Sequence, residues 1–345
     1  MNIDKPPFVS VIIPTFNRSA TLQITVETFL AQSYPADRFE IVIVDNGSTD
    51  DTPQVIEKMT ARAPNVRGMT DGRRGAHFAR NSGAISARGS ILYFTDDDML
   101  AAPTLLETIV TAFAPGSQVG SATGRILPRW ETEPPRWVLE HCRNELLSLN
   151  DRGEATIISD HDLGVFSCHQ AILREAFMAA GGFNPDTNAE HFTGDNETGL
   201  NIKARKLGYR FAYVGSSVTH HMIPESRMTQ RYLNSRFADQ GFCDSYTAYQ
   251  AVQARTPRLA ARVVAHGLLA GVTAARALVR RVANDSRWRL DLARLFYYRN
   301  RARYDTRLIR HAEWRRFVLR SNWLSDDDEP ADEVARMSAR RAASR

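Results

Sequence analysis

Three apolar, β-branched runs constrain this chain more than anything else in it: "FVSVIIPTF" (8–16), "FEIVIVDN" (39–46) and "SILYFT" (90–95). A run with no polar alternation is what a strand buried on both faces requires. Between the runs the apolar residues fall at helical spacing. In "ATLQITVETFLAQS", Leu22, Val26, Phe29 and Leu30 share a face, with Ser19 as the expected N-cap and Tyr34 and Pro35 as the stop. "TDDTPQVIEKMTAR" predicts a second helix with acids in its first turn, which favour the positive end of the helix dipole. A shorter strand over 66–70 and a small-residue helix over 75–89 complete a βαβα alternation. The fold class that follows is α/β, a mostly parallel Rossmann-like sheet flanked by helices.

In open parallel sheets ligands bind outside the carboxyl ends of the strands. The segments "PTFNR", "VDNGSTDD" and "FTDDD" all follow strands, so they should meet along one edge. Asp96, Asp97 and Asp98 place three like charges side by side, which disfavours the ionisation of each and calls for a positive partner. Hard carboxylate oxygens suit Mg²⁺ or Mn²⁺, and such an ion, held by one or two carboxylates, completes its shell with water and substrate phosphates. A metal carrying a diphosphate is therefore the expected partner. Neither GxxxxGK[ST] nor a GxGxxG after the first strand is present, which argues against ATPases and dinucleotide oxidoreductases.

Past residue 115 the pattern loosens into "ILPRWETEPPRWVLEH", an expected irregular excursion whose Trp130 and Trp137 have faces suited to stacking on sugar rings or to the core. A second block, from "DLGVFSCHQAILREAFMAAGGFNPD" to "YRFAYVGSSVTHH", reads as strand, helix, Gly-rich turn, acidic loop, helix and strand. From about 226 the chain is helical and basic. Residues 253–345 hold 21 Arg, no Lys and ten carboxylates, against a net negative charge before them. An anionic partner such as phospholipid headgroups or a phosphorylated acceptor fits that tail, and no accompanying motif points to nucleic acid. The apolar part of 262–281 counts short of the ~20 residues that span a bilayer, so it is expected as an interfacial helix or one packed on the rest of the protein. Three widely spaced cysteines fit a reducing compartment, and the start has no basic segment followed by a long apolar one. A cytoplasmic location is expected, with peripheral contact at the inner membrane face.

"VSVIIPTFNR", "IVIVDNGSTDDT", "ARNSGAISARGSILYFTDDD" and "GGFN" followed by "NETGLNIKARKLGYRFAYVGSSVTHH" resemble, in order and spacing, the motifs of the family two glycosyltransferases, inverting enzymes of the GT-A fold. The resemblance covers residues 8 to about 221. It implies a GT-A catalytic domain over 1–225, followed by a basic helical region over 226–345. It also implies transfer of a sugar from a nucleotide-diphosphate donor to a hydroxyl acceptor, glycan or lipid-linked, with Mn²⁺ or Mg²⁺.

The resemblance carries roles residue by residue. Thr15, Phe16 and Asn17 would line the base and ribose, Asp45 would accept from the base, and Arg74 would help hold the nucleotide. Asp96 would contact ribose or metal, Asp98 the metal, and Asp97 is the variable middle position of the Asp-x-Asp element. His220 matches a family position near diphosphate or metal, with His221 its adjacent rival. Aligned on Leu200 and "LGY", the family's acidic pair becomes Asn196 and Glu197, so Glu197 matches the general base; a one-residue slip would nominate Asp195. His169 stands where an amide is common near the acceptor, and a buried, satisfied histidine is the competing reading. Two rival functions stand beside this one: a sugar nucleotidyltransferase, which would not need Glu197, and a non-catalytic nucleotide-sugar scaffold, which the Asn196 departure would favour.

Overall fold

The computed structural model describes residues 5–141, 147–185 and 194–325. Strands β1 (Val9–Thr15), β2 (Phe39–Asp45), β3 (Val66–Thr70) and β4 (Ile91–Thr95) pair in parallel in the order β3-β2-β1-β4. Every residue of β1, β2 and β4 is buried. Alternate side chains explain why: Val9, Val11 and Ile13 enter one core with Leu22, Val26 and Phe29 of helix α1 (Ser19–Leu30) and Ile56 of α2 (Thr52–Arg62). Ile12, Val42, Val44 and Phe94 enter another, beneath α3 (Ala76–Ser86). A Cβ on Gly83 would stand 2.6 Å from Ile12 Cγ2, so the small residues of α3 are what let it lie against the sheet.

Beyond β4 the sheet becomes mixed. The short β5 (Met99–Ala101) and helix α4 (Leu105–Ile109) lead to the long β6 (Val119–Trp130), and then come α5 (Arg136–His141), β7 (Thr156–Ser159) and β8 (His169–Leu173). Strand β8 runs antiparallel to both β4 and β6. After α6 (Arg174–Ala179) and α7 (Asn196–Lys206), β9 (Arg210–Ile223) lies parallel to β6 and antiparallel to β5 and β7. This sheet with helices on its faces is the GT-A architecture anticipated from the motifs. The Pro-rich segment is more regular than its sequence suggested: residues 119–130 form half of the β6–β9 pair and α5 follows, with Trp130 and Trp137 half-buried against a core that includes Met228 and Leu233.

Helices α8 (Gln230–Val252), α9 (Thr256–Val282), α10 (Trp288–Arg310) and α11 (Ala312–Val318) follow. Two local expectations shift by a residue or two. Ser19 is the first residue inside α1 rather than its cap: Arg18 occupies the N-cap without a side-chain cap bond, and Asp50 from the next loop accepts the Ser19 N–H at 3.5 Å. The first turn of α2 holds no acid, since Asp51 is the N-cap residue and Asp50 accepts the Thr52 N–H at 3.0 Å from just outside the helix.

Candidate active site

The carboxyl ends of β1, β2 and β4 stand side by side, Thr15 in register with Asp45, so the three polar strand ends converge. Phe16 and Asn17 project from the end of β1. Asn17 adopts φ 53°, a left-handed conformation that asparagine tolerates, and its Oδ1 accepts the Thr49 N–H at 2.7 Å. Phe16 is 43% exposed, with the Arg74 guanidinium 5.9 Å from its ring centre, so the two form one lip of the crevice. Asp45 is buried and accepts the Ser48 N–H at 2.9 Å. Asn46 fastens the wall beyond it, donating to the Asp71 carbonyl at 3.0 Å and accepting the Gly75 N–H at 2.9 Å.

Each of the three consecutive acids has an arginine from a different element. Arg80 of α3 donates to Asp96, whose side chain is 36% exposed. Arg18, at the mouth of α1, reaches Asp97 at 3.4 Å and Asp98 at 2.8 Å. Arg227, just after β9, takes the same Asp98 oxygen at 2.8 Å. Burial pushes the Asp97 carboxyl up to about 7, against the pull of Arg18 and a hydrogen bond from Thr15 Oγ1 at 2.8 Å. The more buried Asp98 is held well below the usual carboxylate range: burial alone would raise it, but the Arg227 and Arg18 guanidiniums outweigh that.

The other Asp98 oxygen, Oδ1, is buried with no hydrogen-bond partner, and His221 Nε2 stands 3.7 Å from it. His221 Nδ1 donates to the Leu147 carbonyl at 2.8 Å, which leaves the Nε2 lone pair facing outward, where Arg227 now donates to it. That is the tautomer a metal-ligating histidine needs. Asp98 Oδ1 and His221 Nε2 are the two atoms here that could hold a divalent ion once Arg227 releases Nε2. Among the described residues no group of three or more His, Cys, Asp or Glu converges, so substrate phosphates and water would have to supply the remaining ligands. His220 points to the other face of β9, half-buried beside Arg125 and Arg129, both of which, after burial, draw its pKa down. Neighbours on a strand face opposite ways, so the structure brings His221 to the acids and not His220.

Glu197 lies in the first turn of α7, its side chain 22% exposed, with His77 Nε2 3.7 Å from its carboxylate. Burial would raise the Glu197 carboxyl, yet His77, the backbone at the helix start and Arg80 hold it below its ordinary value. Arg80 Nη1 donates to His77 Nδ1 at 3.2 Å, so the proton sits on Nε2, toward Glu197. One helix, α3, therefore connects Asp96 through Arg80 and His77 to Glu197. None of Arg18, His77, Arg80 or Arg227 stands out by its surroundings in the sequence, except that His77 and Arg80 are three apart on a predicted helix and so share a face.

Asp195 occupies a different position. It is fully buried, with Asn184 Nδ2 donating to one oxygen at 2.7 Å and Thr247 Oγ1 of α8 to the other at 2.8 Å. The Thr247 bond fastens α8 to the sheet region, and full burial keeps the carboxylate away from solvent. Asn196 adopts φ 55° and donates to Cys243 Sγ at 3.3 Å. An uncharged amide suits that place, between two carboxylates and against a buried thiol. His169 is fully buried: the Tyr93 hydroxyl donates to Nδ1 at 2.5 Å, Nε2 faces the Ser217 carbonyl at 3.3 Å, and burial pushes its pKa down to about 4. It is a neutral, satisfied core residue.

Residues 10–180 match the family model "Glycosyl transferase family 2". The chain is 29% identical over 211 residues to "Glycosyltransferase AglD" of Haloferax volcanii, covering 59% of this chain and 32% of that protein. It is 25% identical over 239 residues to the same organism's "Glucosyl-dolichyl phosphate glucuronosyltransferase", covering 68% and 75%. This chain thus spans about a third of AglD's length and three-quarters of the second relative. Among solved structures, the mannosyltransferase PcManGT from Pyrobaculum calidifontis, in complex with GDP-Man and Mn²⁺, superposes with a TM-score of 0.57 at 22% identity over 88% of each chain.

Proposed function

We propose that this chain is a glycosyl transferase of family 2 that moves a sugar from a nucleoside-diphosphate donor to a hydroxyl acceptor with inversion, in cell-surface glycan or glycolipid assembly. The observation that carries this reading is the pairing of two differently prepared acid sites through α3: a cation-lined acidic edge at Asp96–Asp98, and a partly exposed Glu197 kept ionised by His77.

In the reaction, Glu197 takes the proton of the acceptor hydroxyl as its oxygen bonds to the anomeric carbon. The bond from that carbon to the donor phosphate oxygen breaks, and its electron pair leaves with the diphosphate. A single displacement inverts the carbon. Thr15, Phe16, Asn17, Asp45 and Arg74 hold the nucleoside, with Phe16 and Arg74 flanking its exposed side. Asp96, the most exposed of the three acids, serves ribose or metal, and Asp97 stays within the protein on Thr15. Asp98 and His221 would hold Mn²⁺ or Mg²⁺, whose charge neutralises the departing diphosphate when bound. Arg18 and Arg227 border that position and are placed to face the diphosphate as well.

The division of labour follows the chain, transfer in residues 1–225 and attachment in 226–345, where the basic helices give peripheral contact with the cytoplasmic membrane face and its lipid-linked acceptors. The test pairs donor binding with turnover. UDP-, GDP- and dTDP-sugars are screened by thermal shift with and without Mn²⁺, and transfer is then measured for the donor that binds. Glu197→Gln should keep the donor shift and lose roughly 10²- to 10⁴-fold in rate, the range a positioned base supplies. Asp98→Asn should lose the metal-dependent part of the shift. Wild-type turnover in Glu197→Gln would sink the assignment of the base, and the absence of a shift with every donor would sink the donor site.

A further inference from the structure

Helix α9 is unusually exposed for so apolar a segment. Val264, Leu268, Val272, Val279 and Val282 fall within one narrow stripe, and their exposures run from 53% to 83%. Among the described residues α9 is the one helix long and apolar enough to cross a membrane, longer than the apolar run alone suggested. Its opposite face nevertheless binds it to α10. Arg262 and His266 meet Asp305 at 2.9 and 3.3 Å, and Arg280 meets Asp291 at 2.6 Å. A helix held along one side by buried ion pairs lies on a surface rather than crossing it, presenting the free stripe.

The charge around the stripe is mainly positive, and Asp285 in the turn between the two helices is paired with Arg280 and Arg287. Helix α9 contains no Asp or Glu, and both acids of α10, Asp291 and Asp305, are fully buried under arginines. A groove of about 540 Å³ opens between the two helices, floored by Gly267 and Ala270 and bordered by Arg299, Arg303, Arg307 and Arg310. It lies apart from the residues of the catalytic crevice. These arginines recur at i, i+4, i+8 and i+11 on α10, hence along one face. Arg299, Arg303 and Arg310 are exposed, and Arg307 is held over the Trp314 ring, 3.4 Å from its centre. The floor is open at Gly267, where an added Cβ would meet nothing within 4 Å.

We propose that the α9 stripe and the α10 arginine groove together form a docking surface for an anionic bilayer, the stripe entering the acyl boundary and the groove taking lipid headgroup phosphates. Apolar insertion and phosphate pairing at adjacent sites are the two contributions that bind an interfacial helix, and neither alone holds firmly. The arrangement specifies the peripheral contact in the reading above, and it is independent of the transfer chemistry.

Flotation of the full chain tests it, with vesicles of phosphatidylcholine alone or mixed equally with phosphatidylglycerol. The chain should float with the mixed vesicles and stay behind with the neutral ones. Arg299→Gln/Arg303→Gln should weaken partition roughly 25-fold, about fivefold for each charge removed from the surface. Leu268→Asp/Val272→Asp should abolish flotation. Both pairs should keep the wild-type melting curve and donor thermal shift, which separates a failure here from a failure of the transferase reading. Wild-type partition in either pair would overturn the proposal, as would a wild-type chain that ignores anionic vesicles. Two other results would overturn it: stripe-dependent dimerisation without vesicles, giving the stripe to a second copy, or stabilisation by inorganic phosphate through Arg299 and Arg303 with no flotation, making the groove a small-anion site.

Discussion

A carboxylate that accepts a proton at neutral pH must be ionised before its substrate arrives, and at Glu197 burial works against that. His77 is the main counterweight. His77→Ala should therefore move the acid limb of kcat/KM upward in pH, toward and past the ordinary glutamate range, while the plateau changes less than the limb; a pH–rate profile at saturating metal measures it. An unmoved limb would mean that His77 only fills space beside Phe183, on which it stacks at 4.6 Å. At this scale the sequence exposed the groups proposed to do chemistry by type: three acids after a strand, an acid at a helix start. It did not expose their controllers. Which of His220 and His221 faces Asp98 depends on the facing of β9, and Arg227 comes from beyond the motifs altogether. Local pattern carries no record of a contact 129 residues away.

Helix α7 has two jobs, and its first turn separates them. Glu197 looks toward the crevice, while Asp195 just ahead of it holds Asn184 and Thr247. Gly199 makes the second job sterically feasible, since a Cβ there would come within 2.1 Å of Asn184 Nδ2 and 2.3 Å of Asp195 Oδ1. Gly199→Ala should cost ~1–3 kcal/mol in denaturant unfolding by overpacking, despite alanine's better helix propensity. Asp195 itself gives a pH signature. Burial pushes its carboxyl up to about 6 from an ordinary 3.8, although Asn184, Thr247 and Lys203 pull it down. A carboxyl raised on folding contributes stability that is fully present below pH 3.8 and lost as pH rises through 6. Asp195→Asn should accordingly gain on the wild type between those pH values, by up to ~3 kcal/mol, with no further gain above. Parallel melts across that window would show it, and a constant difference would mean the carboxyl titrates normally. The strands were legible because burial on both faces writes itself as unbroken apolar sequence. The second use of the α7 turn was not, since an Asp that fastens a distant helix looks the same in sequence as one that takes a proton.

The boundary expected near residue 225 would fall just after β9 ends at Ile223, yet contacts cross that point at several depths. Arg227 pairs with Asp98 in the crevice, Thr247 binds Asp195, Lys203 Nζ donates to the Ser321 carbonyl at 2.9 Å, and the Trp323 N–H donates to Gly181 at 2.8 Å. Each tie satisfies a buried or charged group of the sheet region with a partner from the helical region. Removing the helices would leave Asp98 with one cation fewer and Asp195 buried with an oxygen unpaired, a costly combination. The two regions should consequently unfold together. Tryptophan fluorescence, which follows Trp288, Trp314 and Trp323 after residue 225 together with Trp130 and Trp137 before it, should give the same denaturant midpoint as far-UV circular dichroism. A chain cut after residue 225 should fail to show a cooperative transition. Two separated midpoints, or a truncated chain that melts sharply and still shifts with a nucleotide sugar, would mean that the helices are an attachment added to a self-sufficient catalytic unit. Coincident midpoints would make the proposed membrane-docking surface and the proposed donor crevice parts of one cooperative structure.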